Sequence, residues 1–598
     1  MSTCGQAAGG GAVLDEFRRR LPDGCLLVEA GCRGLCFAEP LVEIYRPSFP
    51  RLVYERVTPA EVPRLVEGLV TGVFPSDGLL GICYVDSHAL VGRTHALAAG
   101  AERGLDELPF LKGQRRLVLS ECGLVDPASL REYAAVGGYA GLAAALSAGK
   151  PQEVIDAVEA SGLRGRGGAG FPTGQKWRLA AQEQSDERYF IVNADEGDPG
   201  AYMDRTLMES SPYRVLEGLA LGAYAIGAHT AYVFIRAEYP RAIESMRYAI
   251  DVARQENLLG RDILGSGYGL DVSIVTSAGA YVCGEETSML SVLENRGYRP
   301  RKRPPYPVEK GLWGKPTVIN NVETLANVPV AISRGPETLS GIGSSGNAGT
   351  KVFSLTGSVP RNGLIEVKLG TTLGTIIGEI GGGHDAVAAQ IGGPSGMLIP
   401  LEGGDRPIDF DSLASLGGIM GSGGIVVLGP DQCVVDTVRY FMHFSAGESC
   451  GRCRSCKDGL REAADLLDGI VDGRGRPEDI EALEKLVDWI PKGSLCGLGR
   501  SAMRPLQSAL RFFRQDFIEH IEGSCHALVC KGLIRLEIDK RRCQGERCCL
   551  QTCPGNAIKG RFGKPGYIDQ RLCIKCKTCI QVCPYGAIQV ISEPRNVR

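Results

Sequence analysis

The chain has 598 residues, a formal net charge of −3 and 22 cysteines. Near-balanced charge offers no basic surface for nucleic acid or anionic lipid, and no run of about 18 apolar residues is available to span a bilayer. The N-terminal "MSTCGQAAGGGAVLDEFRRR" lacks a secretory pattern, which predicts a cytoplasmic protein of about three to five domains.

Residues 1–110 predict a small α/β unit: a short amphipathic helix at "VLDEFRRRL", a strand at "LLVEAGC", and a hairpin from "LVEIYRP" and "RLVYERV". Residues 130–340 alternate strand and helix in an α/β layered domain. "YFIVNADEGDPG" is a strand ending in a polar loop, "AYVFIRA" leads into the helix "PRAIESMRYAIDVARQEN", and "LDVSIVTSAGAYVCGEETSMLSVLE" repeats the pattern. Residues 345–430, with "KVFSLTGSV", "GLIEVKLG" and the helix-like "TLGTIIGEIGG", predict a β-grasp module. Residues 431–530 carry helical periodicity, and residues 533–598 hold two cysteine loops about 30 residues apart, the repeat of a two-cluster ferredoxin.

Cysteines grouped as C-x2-C in a reducing compartment bind metals or clusters rather than form disulfides. "CIKCKTCIQVCP" gives Cys573, Cys576, Cys579 and Cys583 in the C-x2-C-x2-C-x3-C-P spacing of a 4Fe–4S loop, whose fourth cysteine ligates the neighbouring cluster. "CQGERCCLQTCP" repeats it with Cys543, Cys549 and Cys553, but Glu546 stands at the second place and an extra thiol, Cys548, adjoins Cys549. Three outcomes stay open: a 4Fe–4S cluster with Glu546 or Cys548 on its fourth iron, a 3Fe–4S cluster, or no cluster. "ESCGRCRSC" supplies Cys450, Cys453 and Cys456, with Cys496 as fourth ligand of a 4Fe–4S cluster; zinc is the alternative. His520, Cys525 and Cys530 suit a closed zinc site with Cys433 or His526 as fourth ligand, against buried thiols and a surface histidine. Cys4, Cys32 and Cys36, with Cys25 nearby, suggest part of a 2Fe–2S site that lacks a partner soon after Cys4.

"GIGSSG" at 341–346 follows no strand and opens no helix, so it reads as a flexible joint rather than a dinucleotide fingerprint. "GLRGRGGAGFPTGQKW" is the better anion loop: Gly165, Gly167, Gly168 and Gly170 let backbone N–H groups converge, and Arg166 and Lys176 add charge. Asn193, Asp195, Glu196 and Asp198 end a strand, where open α/β sheets bind ligands. Glu285 and Glu286 open a helix and can accept sugar hydroxyls.

With "GLWGKPTVINNVETLANVP", these stretches resemble the NADH-binding flavoprotein subunit of respiratory complex I over roughly 135–520. The whole chain resembles the NADH-binding beta subunit of electron-bifurcating iron hydrogenases and related formate dehydrogenases. The resemblance implies a multidomain α/β protein with a thioredoxin-like front, an FMN/NADH domain, a β-grasp module, a helical iron–sulfur domain and a ferredoxin-like tail. It implies FMN on Gly165, Arg166, Gly167, Gly168, Lys176, Asn193, Asp195, Tyr281, Gly284, Glu285, Asn320, Asn321 and Thr324. NADH would lie against Phe171, Glu196 and Glu285, with Glu196 and Glu285 orienting the nicotinamide ribose and amide rather than taking protons. Asp198, Leu179, Tyr306 and Arg303 stand where the complex I pattern has Glu, Phe, another aromatic and Lys, leaving NAD(H) and NADP(H) both open.

Nicotinamide gives electrons in pairs and iron–sulfur clusters take them singly, so the expected activity is diaphorase-type: hydride to FMN, then single electrons through 4Fe–4S clusters. Implied partners are a hydrogenase, formate dehydrogenase or similar catalytic subunit, a small thioredoxin-like 2Fe–2S subunit, and ferredoxin. A non-catalytic relay or scaffold with a decayed nucleotide site is the alternative, and the nearly complete FMN set argues against it.

Overall fold

The computed structural model describes residues 2–46, 50–83, 104–402 and 405–592. Part of the expected 1–110 unit, residues 84–103, lies outside them. The chain forms two compact units, one of Met1–Gly396, Leu401–Val427 and Leu495–Leu498, the other of Met397–Pro400, Leu428–Ser494 and Gly499–Arg598.

In the first unit, the helix Gly10–Arg20 sets Val13 and Phe17 four residues apart on one buried face. They pack with Leu65 and Val66 of the helix Val62–Thr71. Strands β1 (Val42–Ile44), β2 (Arg51–Tyr54) and β3 (Leu79–Cys83) form an antiparallel sheet in that order, with Val42 opposite Tyr54, as the hairpin reading expects. "LLVEAGC" departs from expectation and joins no strand. Leu27 packs on the core and Cys32 is buried, but Leu26 is 87% exposed and Val28 is exposed, so the stretch has no alternating face to bury.

Strands β4 (Tyr189–Ala194), β5 (Thr230–Ile235), β6 (Asp271–Thr276) and β7 (Thr317–Asn321) form a parallel sheet in the order β6-β5-β4-β7. The run Phe190-Ile191-Val192 is wholly buried, as a strand covered on both faces requires. Helices Pro212–Ile226 and Val322–Arg334 cross where a Cβ on Gly218 would come 2.1 Å from the Leu325 carbonyl oxygen, so only glycine lets them approach.

Farther along, Thr350–Gly357 pairs antiparallel with Gly363–Lys368 and parallel with the strand that begins at Gly424. The "TLGTIIGEIGG" stretch holds a wide π-type helix, Thr375–Ile380. "GIGSSG" is not a loose joint: Gly343 pairs with Ala348 and Ser344 with Asn347 in a tight hairpin. Arg164 fixes that hairpin through the Asn347 side chain at 3.1 Å.

The second unit is helical over Val434–Gly447, Arg454–Val471, Pro477–Lys492, Arg504–Phe512 and Arg514–Ile521. Leu460, Ala463, Leu467 and Ile470 line one buried stripe at helical spacing. Its tail pairs Ile534–Ile538 with Ile588–Ser592 and Ile558–Lys559 with Tyr567–Ile568. Among the described residues no helix is long and apolar enough to cross a membrane.

Candidate functional site

The glycine loop closes on itself, with Gly165 N–H donating to the Phe171 carbonyl at 2.9 Å before the helix Thr173–Gln182 begins. Gly168 has φ +121°, and a Cβ there would meet Gly421 backbone at 3.1 Å. Gly170 has φ +64°, and a Cβ would stand 2.6 Å from the Phe410 ring. A Cβ on Gly167 would press Asn321 Cβ at 3.0 Å. Side chains cannot enter, so backbone lines this cradle.

Arg166 corrects the sequence reading. Its side chain is fully buried and donates to the carbonyls of Thr350 (3.0 Å), Arg164 (2.8 Å) and Ala348 (2.7 Å), while its own N–H goes to Thr324 Oγ1 at 2.8 Å. The charge expected on an anion is spent tying the loop to the chain behind it, and burial pulls its pKa down to about 10. Lys176 Nζ donates to the Ile319 carbonyl at 3.2 Å, and burial lowers its pKa too. At the end of β7, Asn320 accepts the Trp177 indole N–H at 2.8 Å, and Asn321 caps the next helix by accepting Thr324 N–H at 3.2 Å.

The carboxylates gather at the same C-terminal edge of the sheet. Asn193 donates to the Gly284 carbonyl at 2.9 Å and accepts Asp195 N–H at 3.2 Å; Asp195 accepts Ser277 Oγ–H at 2.8 Å. Glu196 accepts N–H groups of Asp204 and Arg205, each at 3.1 Å, and Asp198 accepts the Tyr281 hydroxyl at 2.6 Å and Ser422 Oγ–H at 2.5 Å. Glu285 caps its helix through Thr287 N–H (3.0 Å) and Ser288 N–H (2.9 Å), and Arg303 pairs with Glu286 while reaching Glu285 at 3.7 Å. Burial raises the pKa of Glu196, Asp198 and Glu285. Beside them Phe171, Leu179 and Tyr306 remain roughly half exposed, with Lys176 Nζ 6.0 Å above the Phe171 ring.

Sequence reading missed the layer beneath. Asp204 accepts Asn321 Nδ2–H and, at 3.2 Å, Glu323 N–H; Glu323 forms a wholly buried ion pair with Lys351. Burial, then the charges of Glu196 and Glu323, hold the Asp204 carboxyl well above its usual range. These residues sit on four separate segments, and no local motif links them.

The N-terminal thiols converge on the helix Met203–Ser210, which also serves Glu196. Arg205 donates to Cys4 Sγ at 3.2 Å, Cys36 Sγ lies 3.6 Å from the Tyr202 hydroxyl, and Cys32 N–H donates to Ser210 Oγ at 2.9 Å. The neighbouring Cys36 thiol, with the Arg205 guanidinium, brings the Cys4 pKa down to about 7 against the opposing effect of burial. Cys25 is exposed.

In the second unit, Cys433, His520, Cys525 and Cys530 are all buried, with ligand atoms within 4.8 Å of one another. Cys433, not His526, completes this set; His526 instead faces Asp516 and Glu519. Nδ1–H of His520 donates to the Asp516 carbonyl at 2.6 Å, leaving Nε2 to face the thiols. Cys453 opens the helix Arg454–Val471 and Cys456 lies in its first turn, where a Cβ on Gly499 would be 3.3 Å from Cys456 Cβ. Cys450 precedes that helix, and Cys496 immediately precedes the helix Gly497–Ser501. In the tail, Cys543, Glu546, Cys549 and Cys583 line one cavity; the partner loop carries Cys573, Cys576 and Cys579, with Cys553 packed in the same core cluster as Cys573 and Cys579.

Residues 158–330 match the Nuo51 FMN-binding domain, 436–520 the NADH-ubiquinone oxidoreductase-F iron–sulfur binding region, and 567–589 a 4Fe-4S binding domain. The chain is 44% identical to the NADP-reducing hydrogenase subunit HndC of Solidesulfovibrio fructosivorans, over 76% of this chain and 93% of that one. The chain belongs to the family of NADH-quinone oxidoreductase F subunits. It is 40% identical to the Escherichia coli member over 65% of this chain and 89% of the relative. It also matches a solved NAD+-reducing [NiFe]-hydrogenase chain with TM-score 0.61 and 28% identity, covering 87% of this chain and 83% of that one. Membership makes it one component of an oxidoreductase, with FMN-binding and 4Fe–4S-binding regions.

The cradle fits a flavin nucleotide. Three glycines admit backbone where a Cβ would collide, and Lys176 supplies a cation. Beside the loop, the buried Thr173 Oγ1 has no hydrogen-bond partner among the described residues.

Proposed function

We propose that the chain is the NAD(P)H-oxidising or NAD(P)+-reducing flavin and iron–sulfur subunit of a multisubunit oxidoreductase. The observation that carries this reading is the glycine cradle, pressed on Asn321, Gly421 and Phe410 at the C-terminal edge of the parallel sheet, beside the half-exposed Phe171 and Tyr306. Bound FMN would convert between a hydride and single electrons. Backbone N–H groups of Gly167 and Gly168 and the Lys176 ammonium would hold its phosphate, since the N–H groups of Gly165 and Arg166 are already donated within the loop's own scaffold. Asn193, Asp195, Asn320 and Asn321 would fix the ring end, and Phe171 and Tyr306 would stack a nicotinamide dinucleotide. Glu196 and Glu285 already accept backbone N–H groups, so they can orient hydroxyls and the amide without carrying protons.

The same reading gives Cys450, Cys453, Cys456 and Cys496 a 4Fe–4S cluster and the tail two more. Cys4, Cys32 and Cys36 would hold a 2Fe–2S centre on the helix that buttresses Glu196. The Cys433/His520/Cys525/Cys530 set is closed, mixed and buried, which suits structural zinc. The front would be thioredoxin-like and the 345–430 region a β-grasp, supported by the parallel pairing of its first strand with Gly424–Val427. Electron partners would be a hydrogenase, as the names of two of the matches suggest, or a formate dehydrogenase or similar catalytic protein. The test is purification with flavin quantified after acid release, followed by dye reduction with NADH and with NADPH. Stoichiometric flavin and dye reduction support the reading; a colourless, flavin-free, inactive protein overturns it.

A further inference from the structure

The two tail loops share their anchoring hydrogen bonds. Cys543 N–H donates to the Asp539 carbonyl at 3.0 Å and Cys573 N–H to that of Asp569 at 3.1 Å. Leu550 N–H meets the Arg547 carbonyl and Ile580 N–H that of Lys577, both at 3.0 Å. Ala557 N–H donates to Cys553 Sγ at 3.3 Å and Ala587 N–H to Cys583 Sγ at 3.4 Å.

The backbone around the second ligand position repeats as well. Cys576 lies between two residues of positive φ, Lys575 at +56° and Lys577 at +63°. Glu546 lies between Gly545 at +77° and Arg547 at +67°. Left-handed conformations are unfavourable for a residue with a side chain, yet Lys575, Lys577 and Arg547 all keep them. The loop with glutamate therefore retains the wrapping path of the loop with cysteine, and Glu546 occupies the equivalent of the Cys576 position.

Two further differences fall where that substitution would need them. The residue after Cys-Pro is Gly555 in one loop and Tyr585 in the other, and the Tyr585 hydroxyl donates to Glu546 Oε1 at 2.5 Å. That bond holds one carboxylate oxygen of a residue that lines the same cavity as Cys543, Cys549 and Cys583. The spare thiol, Cys548, lines the same cavity, but its S–H is donated to the Val582 carbonyl at 3.2 Å.

Resting on the iron–sulfur reading above, we propose that Glu546, positioned by Tyr585, is the fourth ligand of the cubane held by Cys543, Cys549 and Cys583, and that Cys548 is not. A carboxylate is a harder ligand than thiolate and holds iron more loosely. The iron at that corner can leave as Fe2+, converting a [4Fe–4S]2+ core to [3Fe–4S]0 with no electron gained or lost.

The experiment uses the full chain, purified anaerobically and treated with EDTA, with bound iron, acid-labile sulfide and EPR followed together. The expected result is loss of about one iron per chain with sulfide unchanged, and a new three-iron EPR signal after mild oxidation. Glu546→Cys should abolish the loss, Tyr585→Phe should speed it several-fold, and Cys548→Ala should leave it unaltered. Chelation that Glu546→Cys does not prevent, or that Cys548→Ala changes instead, overturns the assignment while leaving the cluster reading intact. Absence of tail-bound sulfide in the wild-type chain, measured as no difference from a Cys549→Ala/Cys579→Ala double variant, overturns both.

Discussion

Cys433 Sγ lies 3.1 Å from His520 Nε2, though 87 residues separate them in the chain. Cys530 Sγ stands 3.3 Å from the same nitrogen and 3.6 Å from Cys433 Sγ. Ligands on a tetrahedral zinc are spaced about 3.5–3.8 Å apart by the known bond lengths, so a small inward or outward adjustment of these side chains accepts the ion.

Metal analysis of the purified chain should therefore find zinc beside iron. Cys433→Ser should lower bound zinc and the thermal midpoint together, because a structural zinc contributes directly to folding. His526→Ala should change neither, since His526 stands with Asp516 and Glu519. Equal zinc in the wild type and Cys433→Ser would contradict the site.

Lys351 and Glu323 make an ion pair with side chains at most 1% exposed. Lys351→Met would strand the Glu323 carboxylate, which still accepts Val352 N–H at 2.8 Å. The expected cost is about 3–5 kcal/mol, read as a lower urea midpoint. Pairing the change with Glu323→Gln should recover most of it, since the desolvated charge is then gone.

Gly170→Ala should release flavin, because its Cβ would meet Phe410 in a left-handed backbone. Gly149→Ala is the matched control: its φ is +66°, but no atom lies within 4 Å of a Cβ there. It should cost roughly 1 kcal/mol of stability and leave flavin content unchanged. Equal flavin in both variants would count against the cradle.

Arg303 compensates Glu286 and reaches toward Glu285. Arg303→Ala should leave both carboxylates uncompensated and repel the extra phosphate of NADPH. The KM for NADPH should then rise about tenfold more than that for NADH, the effect of roughly 1.4 kcal/mol of added repulsion. A parallel rise for both nucleotides would mean that Arg303 contacts only their common part.

Strand and helix periods were legible wherever one face or both were buried, as in β4 and in the stripe of the helix Arg454–Val471. "LLVEAGC" misled because its apolar residues are a run without a ladder to join. Metal ligands at short spacing were legible as groups, and the choice between Cys433 and His526 required the fold. Arg166 misled for another reason: a basic residue in a glycine loop reads as an anion ligand, but here the loop itself needs the guanidinium to hold its carbonyls. Asp204 and Lys351 gave no local signal, since their partners come from distant strands and helices.

The central claim is that FMN held in the glycine cradle would take electron pairs from a nicotinamide and hand them singly to iron–sulfur centres. It is tested most directly by anaerobic titration of the purified chain with NADH or NADPH, following flavin absorbance and EPR in the same sample. The account predicts that the flavin absorbance bleaches and reduced-cluster EPR signals grow as nucleotide is added. Flavin that bleaches while every cluster stays oxidised, or clusters that reduce in protein stripped of flavin, would contradict it.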